Sequence, residues 1–115
     1  MGQIAQARMG SFLAVLKTFG EQPSPGLMSF PRPGITLALD FQNSDQNSGS
    51  NTFKLLDKLD EIVCANGGAV YPAKDARMSA QSFRHYFPQI EQFKRYVDPN
   101  FCSDLWRRVG GTEKP

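Results

Sequence analysis

The sequence predicts an α+β chain, and three observations predict it. Two apolar runs, residues 12–19 and 35–41, have the length and residue types of strands. Residues 52–65 carry the 3.6-residue apolar period of an amphipathic helix and stop at Asn66-Gly67-Gly68. Beyond residue 77 the chain breaks into short segments, each opened by a serine or proline suited to start a helix.

Taken in order, the first ten residues hold Ile4, Ala5, Ala7 and Met9 among polar neighbours and read as a remnant of a helix. Ser11–Phe19 reads as a strand covered on both faces, because its apolar side chains are nearly continuous. Its parity puts Leu13, Val15, Lys17 and Phe19 on one side. Pro23, Pro25, Pro31 and Pro33 make residues 20–34 a loop with extended pieces, in which 27–30 should lie over apolar surface. Ile35–Phe41 is the second strand. Ile35, Leu37, Leu39 and Phe41 form its expected core face, and truncating Leu37 should cost what a buried leucine costs. Thr36, Ala38 and Asp40 form the other face, which suits either the floor of a site or a wetted sheet surface.

Residues 42–50 are polar and read as a loop, after which Ser50 or Asn51 caps the helix 52–65. Phe53, Leu56, Leu59 or Asp60, and Val63 follow its period, with Leu55 and Ile62 widening the stripe. Gly67 and Gly68 end it, and Ala69–Tyr71 reads as a short third strand stopped by Pro72. Ser79 caps a helix to about Tyr86, Pro88 opens another to about Val97, and Ser103 caps a last one over 104–109. The tail 112–115 should fray.

Composition narrows the function classes. A 115-residue chain with 40% hydrophobic and 21% charged residues can bury a modest core. The formal charge of +2 gives no electrostatic footprint for nucleic acid. Cys64 and Cys102 stand apart, and with the single His85 they form no metal-ligand spacing. Two isolated thiols fit a cytoplasmic setting. No apolar run approaches the length of a membrane span, which leaves peripheral membrane association open.

The densest chemistry lies in Tyr71-Pro72-Ala73-Lys74-Asp75-Ala76-Arg77. An ammonium beside a phenol at a sheet rim suits hydrogen bonding to a hydroxylated substrate or an anionic cofactor edge. The plainer alternative leaves Lys74 and Arg77 solvated, with Asp75 paired to one of them for little gain. Lys17, at the end of an apolar face, either snorkels to water or points into a polar site.

An ordered set of motifs carries a resemblance. It comprises 12–20, Met28-Ser29-Phe30-Pro31, Thr36-Leu37-Ala38-Leu39-Asp40-Phe41, Leu59-Asp60-Glu61-Ile62-Val63, Gly67-Gly68, the 71–77 segment, Val97-Asp98-Pro99 and 103–108. Over roughly residues 11–110 the chain resembles the C-terminal end of FAD-linked oxidases of the vanillyl-alcohol-oxidase type. Among these, the decaprenylphosphoryl-ribose, arabinonolactone and alditol oxidase branches are the nearest. The resemblance implies an antiparallel sheet with flanking helices, a partial cap domain over residues 1–77, followed by a C-terminal helical return segment over 78–115.

It also implies FAD as cofactor and oxidation of a sugar-type hydroxyl by hydride transfer to the flavin. Lys74 and Tyr71 map onto catalytic positions, with Lys74 also beside the flavin. Lys17 and Phe19 match residues that line the substrate cavity, and Thr36 and Asp40 fall on the strand face turned toward it. The decaprenylphosphoryl-ribose branch carries an asparagine and a cysteine where this sequence has Thr36 and Ala38, so that substrate itself is not implied.

These 115 residues hold no glycine-rich pyrophosphate loop and no histidine placed for covalent flavin attachment. The stretch alone is therefore expected not to hold FAD tightly, and to be inactive without a flavin-binding domain or subunit as partner. The alternative is a non-enzymatic α+β interaction module that forms a homodimer through Trp106, Phe101 and Phe87.

Overall fold

A computed structural model of the chain describes residues 1–42, 49–74 and 77–110. Its order is α1 (Gly2–Gln6), β1 (Ala14–Phe19), β2 (Gly34–Leu39), α2 (Gly49–Ala65), a 3₁₀ turn (Pro72–Lys74), α3 (Ala80–Tyr86), α4 (Ile90–Phe93), a second 3₁₀ turn (Lys94–Tyr96) and α5 (Asp104–Gly110). This is an α+β architecture, as the sequence predicts. The loop residues 43–48, Asp75 and Ala76 of the charged motif, and the tail 111–115 lie outside the described residues. No helix among the described residues is long and apolar enough to cross a membrane.

The chain packs as two units. The first holds Met1–Ser24 and Pro31–Ile62; the second holds Pro25–Phe30 and the described residues from Val63 on. The first is built on a hairpin in which β1 pairs antiparallel with β2, Ala14 opposite Leu39 and Phe19 opposite Gly34. Ser11 clips its open end: its hydroxyl donates to the Leu13 carbonyl and accepts from the Asp40 N–H at 2.9 Å. Gly34, at φ +144°, takes a conformation that a side chain would resist.

Burial on the hairpin differs from expectation. Ile35 and Leu37 are exposed rather than core, and Leu13, Val15 and Leu16 of the first strand are exposed as well. Alternation shows that the two faces of a strand differ; what covers either face is decided elsewhere in the chain. Helix α2 also starts earlier than its expected cap, at Gly49. It buries Thr52 and Leu55, leaving Phe53 and Ile62 outside. Thr52 turns inward because its hydroxyl donates to the Gln42 carbonyl at 3.5 Å.

The second unit owns the main core: Met78, Phe83, Tyr86, Phe87, Ile90 and Val109. Its helix ends follow the sequence. Gly67, at φ +68°, donates to the Cys64 carbonyl at 3.1 Å while Gly68 donates to the Val63 carbonyl at 2.9 Å. That is the Schellman closure of α2. Ser79 accepts from the Ser82 N–H at 3.0 Å, and Ser103 from the Trp106 N–H at 3.1 Å, capping α3 and α5. The helix expected from Pro88 begins only at Ile90 and tightens to 3₁₀ from Lys94.

Two expectations fail in this unit. Ala69–Tyr71 is not a strand, since Ala69 and Val70 instead pack against the core and the ladder has two strands among the described residues. Three residues between a helix cap and a proline offer few ladder bonds, so burial decides their place. Phe87 is not a docking residue but a buried one, and Trp106 packs edge-on to Phe83 and Phe93 at 6.5 and 5.5 Å. Phe101 alone of that trio is exposed.

Candidate functional site

The nominated residues fall into two groups, one in each unit. In the first unit the register sets Lys17 directly across from Thr36, and Val15 across from Ala38. Because side chains alternate, Val15, Lys17 and Phe19 share one face with Thr36 and Ala38. Phe19 stands opposite Gly34. Lys17 is exposed and Phe19 half-buried.

Asp40 extends the same face past the end of the ladder. Its N–H reaches the Leu13 carbonyl at 3.3 Å as well as the Ser11 hydroxyl, so its backbone is held on two sides. Lys17 and the Leu13–Asp40 end are four residues apart, about 13 Å along a strand. The ammonium and the carboxylate are therefore placed as two ends of a face rather than as an ion pair. Thr36, beside Lys17 at the same end of that face, contributes a hydroxyl that both donates and accepts.

In the second unit Tyr71 leads into the Pro72–Lys74 turn. Its ring rests on Phe30, centroids 5.2 Å apart and planes tilted by 56°. Phe30 is itself packed against the core, so the phenol has a fixed base while the residue stays 52% exposed. Proline holds the next φ, and the turn carries Lys74 outward, exposed. Tyr71 immediately precedes the turn and Lys74 closes it. The phenol and the ammonium are both exposed.

Two supporting residues escaped the sequence reading. Ser11 fixes the Asp40 end of the hairpin, and Phe30 seats Tyr71; both act across 29 or more positions, where no local pattern reports them. Among the described residues no three His, Cys, Asp or Glu side chains gather as a metal site.

Comparison with known proteins adds a relationship. No family model matches the chain. It is similar to decaprenylphosphoryl-β-D-ribose oxidase of Mycolicibacterium smegmatis, 38% identical over 104 residues, which is 86% of this chain and 21% of that protein. It is also 39% identical over 101 residues to an uncharacterised protein in the mprA 5′ region of Streptomyces coelicolor, covering 84% of this chain and 26% of that one. The chain thus spans about a fifth to a quarter of the curated relatives it matches.

Proposed function

We propose that this chain supplies part of the substrate-facing portion of an FAD-dependent oxidoreductase that oxidises a sugar-type hydroxyl. The observation that carries the reading is the 38% identity to a named ribosyl oxidase over 86% of the chain. The hairpin face supports it, since Lys17, Thr36 and Asp40 offer a cation, a hydroxyl and a carboxylate at separate points of one surface. Tyr71 and Lys74, both exposed, supply the donors for the edge of a flavin ring, Tyr71 leading into the turn that Lys74 closes. Phosphate-cradling residues are not among the motifs of these 115 residues, so the rest of the FAD is held by other polypeptide.

When bound, FAD supplies the hydride acceptor. This chain's own residues position and stabilise. Lys17 and Asp40 hydrogen-bond substrate hydroxyls, and Phe19 bounds them with an apolar wall. Lys74 donates to the reacting oxygen or to the ring edge, and its charge favours the oxygen as its proton departs. Tyr71 adds a second donor, held in place by Phe30. Thr36 and Ala38 alter the face relative to the asparagine and cysteine of the decaprenylphosphoryl-ribose branch, so the reading extends to a sugar-type hydroxyl of the aldonolactone, alditol or ribosyl class without committing to that lipid-linked ribose.

The partner is a flavin-binding domain, on the same polypeptide or on another, and the setting is cytoplasmic with peripheral membrane association. The test is a chimera in which this chain replaces the matched stretch of the Mycolicibacterium smegmatis oxidase. It should bind FAD and turn over sugar lactones or alditols. Lys74→Ala should lower turnover by roughly a hundredfold or more, the range of a lost electrostatic or proton-handling group, with the circular dichroism spectrum unchanged. Unchanged turnover removes Lys74 from the chemistry, and a chimera that binds no flavin removes the reading itself.

A further inference from the structure

The loop between the two strands belongs by its packing to the second unit. Pro25–Phe30 is part of that unit, although the chain up to Ser24 and again from Pro31 is part of the first. Several contacts keep the loop in place. The Ser24 hydroxyl donates to the Pro31 carbonyl at 3.2 Å across its base, and the Ser29 N–H donates to the Gly26 carbonyl at 3.1 Å within it. Met28 and Phe30 pack against the core cluster. Pro31 restricts Phe30 to extended backbone, so Phe30 has its main chain limited and its ring anchored.

That ring is the seat of Tyr71, at 5.2 Å between centroids and a tilt of 56°. Tyr71 itself lies in no helix or strand, and it is half exposed. Its phenol makes no hydrogen bond among the described residues, so ring packing holds the side chain while the O–H stays available. An exposed tyrosine without such a seat moves among staggered rotamers about 120° apart within nanoseconds, and each step carries the phenol oxygen elsewhere. Resting on the function proposed above, we propose that Phe30 is a positioning residue of the reaction, which acts through Tyr71. It holds the phenol in the rotamer that presents its O–H to the ligand, so the ordering cost of that donor is met before the ligand arrives. The connection between the strands thereby takes part in turnover from 41 positions away.

The test is a double-substitution cycle in the chimera described above. Phe30→Leu keeps an apolar side chain on the core and removes the ring; Tyr71→Phe keeps the ring and removes the O–H. Phe30→Leu should lower turnover roughly three- to tenfold, the rate equivalent of one aromatic pair. In the Tyr71→Phe chimera the same substitution should change turnover by less than about twofold, because the group it positions is gone. A residue that only supports the fold would lower turnover equally in both backgrounds. Proton NMR of the 115-residue chain supplies a readout that needs no flavin. The Tyr71 ring signals, identified by their loss in Tyr71→Phe, should be displaced from free-tyrosine positions by the Phe30 ring and return toward them in Phe30→Leu. The signals of Tyr86, a fully buried ring, should remain far from free-tyrosine positions and so report an intact core.

Equal losses in both backgrounds overturn the proposal, as do Tyr71 signals that stay in place or a Tyr71→Phe chimera with undiminished turnover. Collapse of the Tyr86 signals together with those of Tyr71 assigns Phe30 to folding and overturns it as well. The flavin reading fails separately. A chimera that binds no flavin removes the reaction, and with it the role of Phe30 in turnover, whereas an active chimera in which the two substitutions act independently removes only that role.

Discussion

Gly110 is the residue whose side chain matters most by being absent. A Cβ built there would lie 2.8 Å from Trp106 Cε2 and 3.0 Å from Cδ2, inside the ring's contact distance. Trp106 cannot easily yield, because its indole is wedged edge-on between Phe83 and Phe93. Gly110 is buried at the end of α5, so its neighbours have little room to relax. Gly110→Ala should therefore destabilise the protein by about 1–3 kcal/mol, the range of an overpacked core, despite alanine's better helix propensity. Urea unfolding followed by tryptophan fluorescence measures it; a neutral or stabilising result would mean that the indole is free to swing away. At the nominated site positions the same scale of description applies with opposite emphasis. Tyr71 and Lys74 are exposed and their removal costs little packing, so a loss of activity there reads as chemistry rather than misfolding.

At the level of elements, the hairpin and α4 are opposites. Leu37 belongs to a strand whose faces are both largely exposed, while Ile90 is buried in the core of the second unit. In the chain alone Leu37→Ala should cost less than about 1 kcal/mol and Ile90→Ala about 2–5 kcal/mol, measured by denaturant titration. A large loss at Leu37 would mean that the face is covered in solution. This contrast also shows what the sequence could report. The end of α2 was legible because its signal is local: Asn66-Gly67-Gly68 supplies the left-handed residue and the two closing hydrogen bonds. Ser79 and Ser103 were legible for the same reason. The strands were legible as strands, because alternation at Ile35–Phe41 is a local pattern. Which face would be buried was not, because coverage depends on residues far away in the chain. Lys17 and Thr36 could be nominated singly, but their pairing rests on a register set across the whole loop between the strands. Phe30 under Tyr71 is a contact over 41 positions, beyond any periodicity.

For the molecule as a whole, burial is distributed unevenly, and that distribution has a dynamic consequence. Met78, Phe83, Tyr86, Phe87, Ile90 and Val109 form one cluster, further covered by Leu105, Trp106, Val70 and Phe30. Burying a large aliphatic or aromatic side chain stabilises by about 1.5–3 kcal/mol, so opening α3 exposes several such terms together. Opening the hairpin exposes few, because its side chains already face water, and its ladder is a single antiparallel pair with an open edge on each side. Native-state amide exchange of the chain alone should therefore be slowest for the N–H groups bonded along α3 and at its buried end, such as that of the C-cap Phe87 bonded to the Phe83 carbonyl at 2.9 Å. It should be faster by orders of magnitude across β1 and β2, including the Asp40 N–H that Ser11 clips. Held by a single ladder and few buried side chains, the Lys17–Thr36 face has little to fix it in the chain alone. Uniform protection across both units would contradict this, since it requires the exposed strands to be as costly to open as the buried helix.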